Sequence, residues 1–191
     1  MFTITRPFSL AEYLSYNDGT ERRYELVNGE LVAMPSESDL NNAIAMYLIG
    51  VFLQVVPILR LRRGTEVAVM GAGATVRIPD LLVLSEGLAA ALAGASRSIV
   101  TLEMPPPILA VEIVSPGKEN EDCDYRYKRS EYGARGILEY WIVDPSQSRI
   151  TMLTLVDGLY EEAVFQGGQR LISVTFPALE LMAEQILQAG Q

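Results

Sequence analysis

Apolar and polar positions along the chain fall into short, contrasting blocks. Ser9-Leu-Ala-Glu12 carries the serine and glutamate of a capping box and predicts a short first helix over about Ser9–Tyr16. Tyr24–Met34 (YELVNGELVAM) sets two alternating apolar runs on either side of Asn28-Gly29, the pattern of a β-hairpin with a two-residue turn. The polar turn Pro35–Asp39 precedes a long helix over about Leu40–Val56, with Ser38 or Asp39 placed to cap its first amides.

Beyond that helix the pattern switches to strands. Glu66–Met70, Ala74–Ile78 and Asp80–Leu84 are short and rich in β-branched residues, with Gly71-Ala-Gly73 turning the chain between the first two. Leu88–Ala93 predicts a short helix. Pro105-Pro-Pro107 leads stiffly into Ile108–Val114, which is apolar on both sides, as a central sheet strand must be. A helix over about Asp122–Ala134 follows, closed by Gly133 and Gly136. Ile137–Val143, Arg149–Val156 and Leu159–Phe165 read as strands, turned at Asp144-Pro145 and Asp157-Gly158, and a short helix begins near Ala178. This order predicts an α/β fold: one domain over residues 1–191, with a central mixed sheet flanked by helices and a hairpin near the N-terminus.

Composition narrows the chemistry. The 191 residues are 49% apolar and 20% charged, an ordinary globular balance. With one cysteine, Cys123, no intrachain disulfide forms, which fits a reducing compartment. There is no histidine, so Ser85, Ser115 and Cys123 lack the usual activating base, and Ser-His or Cys-His hydrolysis is excluded. Catalysis must rest on carboxylates, lysine, tyrosine or hydroxyls, and a metal held by such groups is a hard cation, Mg²⁺ or Mn²⁺. Gly71-Ala-Gly-Ala lacks a following Gly-Lys-Ser and is not a phosphate loop. The N-terminus, MFTITRPFSL, lacks the basic start and apolar centre of a signal peptide. The most apolar run, Ala43–Leu59, is broken by Gln54 and Pro57 and falls short of the roughly 20 residues of a membrane span. A cytoplasmic protein without a membrane partner is expected. The net charge of −9 argues against a nucleic-acid partner, because phosphate neutralisation dominates such binding.

Three residues stand out from the pattern itself. Glu112 lies inside ILAVEIV, on the strand face shared by Ile108, Ala110 and Val114, where an unpaired carboxylate is very costly. Either it belongs to a site, or it pairs with an arginine such as Arg126 or Arg135, or it sits near enough the strand end to reach water. Asp80 follows Pro79 at a strand entry; alone it reads as a turn or cap aspartate, but with Glu112 on a neighbouring strand the two can converge on a divalent cation. Lys128 shares a helix face with Tyr125 and Tyr132 at i, i+3, i+7 spacing. Facing the sheet, it can orient a water or stabilise developing charge; the plainer alternative is a surface pair with Asp124. Trp141, in EYWIVDP, reads as core.

Pro79-Asp80 followed by Glu112 on a strand resembles the PD-(D/E)XK nuclease superfamily. Four phrases resemble, more narrowly, the bacterial Uma-two family of restriction endonucleases: YELVNGELVAMPSES (Tyr24–Ser38), IPDLLVL (Ile78–Leu84), PILAVEIVSPG (Pro107–Gly117) and YKRSEYGARGILEYWIVDP (Tyr127–Pro145). The resemblance implies a restriction-endonuclease-like fold, metal ligands at Asp80 and Glu112, Mg²⁺ or Mn²⁺ as cofactor, DNA as partner, and a homodimer. The position two after Glu112, lysine in the superfamily pattern, is Val114 here, and Lys128 is the matching family lysine. Family members often carry a histidine at the start of the long helix, where this chain has Leu40-Asn41-Asn42. Glu25 matches a recurrent family glutamate; it either completes the acidic cluster or pairs with Arg22 or Arg23.

The leading expectation is thus a Mg²⁺-dependent endonuclease acting on DNA. The displaced lysine, the missing histidine and the −9 charge motivate a second, a binding or regulatory module that keeps the nuclease fold without efficient catalysis. A purely structural or partner-binding protein is a third, disfavoured by the resemblance.

Overall fold

The computed structural model describes residues 6–189. The two ends of the expected 1–191 domain, including the first five residues of the N-terminal segment read above, lie outside the described residues.

Ser9 caps α1 (Leu10–Ser15) through a complete capping box with Glu12. The hairpin is β1 (Tyr24–Val27) and β2 (Glu30–Ala33). Asn28 and Gly29 both take positive φ, 51° and 87°, as a turn matched to strand twist demands. Ser38 caps α2 (Asp39–Phe52) by accepting the Asn41 amide. This helix stops at Phe52, before the expected Val56, because Pro57 forces the preceding residue out of helical geometry and the chain turns early.

Six strands and one helix follow within the next sixty-odd residues: β3 (Leu61–Arg62), β4 (Glu66–Val69), β5 (Thr75–Arg77), β6 (Leu81–Val83), α3 (Glu86–Ala91), β7 (Ile99–Val100) and β8 (Leu109–Ile113). A continuous helical stretch comes next. It begins as α4 (Lys118–Asp122), widens into a π-helical turn over Cys123–Lys128, and ends as α5 (Arg129–Arg135), closed by Gly136 at φ 84°. Strands β9 (Glu139–Asp144), β10 (Arg149–Val156) and β11 (Leu159–Phe165) precede α6 (Ala183–Leu187), which starts later than Ala178.

The strands form two mixed sheets, ordered β2-β1-β5-β4-β7 and β11-β10-β9-β8-β6-β3. In the second, β8 runs parallel to β9, the two joined by the helical stretch, and antiparallel to β6. One face of this sheet (Leu81, Val83, Val111) packs on Ile44, Leu48 and Phe52 of α2 together with α6. The other (Leu82, Ala110, Val114) packs on Tyr132 of α5 and on Val67 and Val69 of the first sheet. Trp141 is fully buried, as expected. Only the three residues Ile78, Pro79 and Asp80 separate β5 of the first sheet from β6 of the second. Among the described residues no helix is long and apolar enough to cross a membrane.

Candidate active site

The register of β6 and β8 decides where the two acids lie. Leu81 pairs with Val111 and Leu82 with Ala110. One step further along this ladder Asp80 falls opposite Glu112, on the face that carries Ala110 and Val114, and directly opposed side chains are neighbours in a sheet. The Asp80 carboxylate is tied to the partner strand as well: its Oδ2 accepts the Ile113 amide at 2.6 Å.

Glu112 is 4% exposed, and both of its oxygens are engaged. Tyr132 donates its hydroxyl to Oε1 at 2.6 Å, and the Lys128 ammonium lies 2.8 Å from Oε2. Neither arginine considered from the sequence serves it: Arg126 pairs with Asp122 on the surface, and Arg135 donates to the carbonyls of Ala68, Thr101 and Met104. Lys128 points inward, and the Asp124 pair read from the sequence is present too, at 2.9 Å, but buried instead of on the surface. One ammonium therefore bridges two carboxylates, on a helix whose widened turn carries both Asp124 and Lys128. Tyr140 adds a hydroxyl to the Asp124 carbonyl at 3.0 Å.

Glu25, on β1, reaches the same cavity but pairs with neither Arg22 nor Arg23. Its partner is Arg77 of β5, at 2.9 Å, and its second oxygen accepts the Ile78 amide at 2.9 Å. Arg77 also grips Glu131 of α5 through two bonds of 2.7 and 2.8 Å. Arg77 sits directly opposite Glu25, one step along the β1–β5 ladder from the Leu26–Val76 pair, whereas Arg22 and Arg23 line a neighbouring cleft.

The cavity measures about 350 Å³ and is lined by Glu25, Arg77, Asp80, Glu112, Asp124 and Lys128, among others. Its acids outnumber its cations, and their protonation follows. Burial pushes the Asp80 carboxyl up to about 6; the Ile113 amide and Lys128 oppose that shift, and Asp124 and Glu37 add to it. Burial also raises Glu112, against the pull of Lys128. Burial works to lower Lys128, but Glu112, Asp124 and Glu25 hold it well above its ordinary value, so the amine stays cationic. Burial works to raise Glu25, yet Lys128 and Arg77 keep its carboxyl below the usual range.

Among the described residues no three His, Cys, Asp or Glu side chains are grouped closely enough to cage a metal ion. The donor set is of another kind, two carboxylates on one face of adjacent strands. That suits Mg²⁺, which usually takes one or two protein carboxylates and completes its shell with water and substrate phosphate. The excess of buried negative charge at Asp80 and Glu112 has the same bias toward a cation.

Two contributors were not singled out from the sequence. In the sequence Asp124 is marked only as a surface partner of Lys128, although a lysine four residues on and facing inward carries its i−4 neighbour to the same side. Asn41, buried near the start of α2, donates its amide to the Ile113 carbonyl at 3.1 Å, beside Glu112. Nothing local in the sequence marks that contact, which joins residues 72 positions apart.

The fold resembles that of a crystal structure from Anabaena variabilis ATCC 29413, described as "a putative nuclease belonging to DUF820". The TM-score is 0.72 at 17% sequence identity, with 97% of this chain and 100% of that one covered. No curated protein matches the chain significantly. Residues 10–184, nearly the whole chain, match the family model named Uma2 and described as "Putative restriction endonuclease". The chain belongs to the Uma2 family.

Proposed function

We propose that the chain is a cytoplasmic, metal-dependent endonuclease that hydrolyses phosphodiester bonds of DNA, with Asp80 and Glu112 holding a Mg²⁺ or Mn²⁺ ion. The observation that carries this reading is the Lys128 ammonium 2.8 Å from Glu112, delivered by a helix where Val114 has taken the strand position of the superfamily lysine. A divalent cation bound there supplies Lewis acidity, lowering the pKa of a bound water and offsetting charge on the phosphodiester.

The chain's own residues have distinct parts in this reading. Asp80 and Glu112 present oxygens from two adjacent strands, each already oriented, one by the Ile113 amide and the other by the Tyr132 hydroxyl. Lys128 orients the attacking water and stabilises the negative charge that develops on the phosphoryl oxygens. Asp124 holds the ammonium in place. Glu25 borders the cavity, where its charge keeps Lys128 protonated.

Two scissions of a duplex call for two sites related by the symmetry of DNA, so the protein acts as a homodimer. A monomer of 21 kDa at micromolar concentration in light scattering would contradict that assembly.

The second reading, a nuclease-fold binding module without efficient catalysis, is favoured by one observation: the Lys128 ammonium is already neutralised by two carboxylates. A plasmid-nicking assay separates the two. Nicking that needs Mg²⁺ and vanishes in Glu112→Gln supports the nuclease; no nicking by the parent protein with Mg²⁺ or Mn²⁺ supports the module.

A further inference from the structure

We infer that the cleft adjoining the acidic cavity is a binding track for the sugar–phosphate backbone of a nucleic acid strand, with Arg22 and Arg23 as its phosphate contacts. This rests on the nuclease reading and adds the surface along which the substrate lies.

The cleft measures about 500 Å³ and is lined by Arg22, Arg23, Arg63, Glu37 and Asp80, among others. Asp80, Glu37 and Ile78 border it and the acidic cavity alike, so the two spaces meet at the proposed cutting point. A strand with one phosphodiester at Asp80 and Glu112 must lay its neighbouring phosphates in whatever adjoins them, and what adjoins them carries guanidinium groups.

The three arginines differ in how far they are committed. Arg63 is spent within the protein: it pairs with Glu37 at 2.5 Å and donates to the Asn42 side chain and the Asp80 carbonyl. It braces the wall and fixes the backbone of Asp80. Arg22 is exposed and enters no ion pair among the described residues. Arg23, also exposed, is anchored by one bond of 2.9 Å to the Gly64 carbonyl, which leaves donors free. Gly64 itself takes φ 69°, a left-handed conformation that favours glycine. Two arginines with spare donors, one of them held in place, suit phosphate, which takes a guanidinium fork in bidentate fashion.

The track also answers the objection from net charge. At −9 the protein as a whole repels a polyanion, but within a cleft local charge governs, and low-dielectric walls focus its field. Of the two carboxylates on the lining, Glu37 is neutralised by Arg63, and Asp80 is the residue assigned to the cation.

The test measures binding, not cleavage. A labelled 16-bp DNA duplex is titrated with the full-length protein in EDTA at several salt concentrations, comparing the parent, Arg22→Ala/Arg23→Ala and, as a distant control, Arg170→Ala. Losing two phosphate contacts should weaken binding at least tenfold and flatten the slope of log K against log salt by about 1.8, at about 0.9 per contact. Arg170→Ala should bind as the parent does. The single variant Arg22→Gln, at an exposed position without an ion pair, should show about half the change in slope and guards against a folding defect in the double variant. Equal affinity and slope in parent and double variant would overturn the track and leave the nuclease reading standing. A parent that neither binds nor cuts DNA or RNA at low salt would overturn both.

Discussion

Lys128 and Glu112 meet at 2.8 Å in the interior of the protein, one from a helix and the other from the central strand beneath it. Asp124 completes the arrangement from one turn earlier, so a single ammonium answers two buried carboxylates. Replacing it has two separable effects. Lys128→Ala strands both carboxylates, and breaking a buried pair in this way costs about 3–5 kcal/mol of stability. On the proposed reading it also lowers cleavage by about 10²–10³-fold, as loss of one stabilising group does in other hydrolases. Denaturant unfolding reads the first effect and plasmid nicking the second. A variant that cuts as fast as the parent would remove Lys128 from the chemistry.

Glu112→Gln keeps the shape of the side chain and an acceptor for the Tyr132 hydroxyl, so the fold should survive. Mg²⁺ at millimolar concentration should raise the melting temperature of the parent, by linkage of ligand binding to the folded state, and leave that of the variant unchanged. Equal Mg²⁺-induced shifts in the two proteins would show that Glu112 does not hold the ion.

Asp80 supplies a pH signature. Its carboxyl is pushed up to about 6 from an ordinary 3.8, chiefly by burial, so the folded state binds the proton more tightly than the unfolded state does. The resulting penalty is absent below about pH 4, grows as the pH rises, and is complete above about pH 6. Asp80→Asn, which can still accept the Ile113 amide, should therefore stabilise the metal-free protein at pH 7.5 by up to about 3 kcal/mol, at 1.36 per pKa unit, and hardly at all at pH 4. Urea unfolding in EDTA at the two pH values checks this; equal or opposite differences would refute it.

Arg77 ties β1, β5 and α5 together through Glu25 and Glu131. Arg77→Ala leaves two buried carboxylates without their cation and should cost about 3–5 kcal/mol. Arg77→Lys keeps the charge, loses the two-pronged grip on Glu131 and should fall in between. A loss below about 1 kcal/mol for the alanine variant, measured by chemical denaturation, would mean that the network is dispensable.

Much of this was legible in the sequence where a local rule applies. Asn28-Gly29 announced the hairpin, Ser9 and Glu12 the first cap, and a glutamate amid ILAVEIV marked a buried acid. The tyrosines flanking Lys128 suggested its inward face, and Lys128 and Tyr132 are indeed buried. What escaped depends on distance or brevity. Strands β3 and β7 have two residues each, too few to show alternation, and the division of the strands into two sheets follows from pairings that no local pattern states. Glu25 finds Arg77 52 residues away, while Arg22 and Arg23, the cations nearest in sequence, turn to the neighbouring cleft.

Placing the lysine on the helix changes how the strand is built. A strand with glutamate and lysine two residues apart must admit two charges to one row of the sheet. Here position 114 is valine, buried against Tyr132 and Tyr140, and only one charge interrupts the row. In exchange, the cation arrives only when the helix docks. The strands without the helix would have the acids but not their counter-charge, so the proposed site is complete only where the helix packs on the sheet, and its integrity reports on that contact.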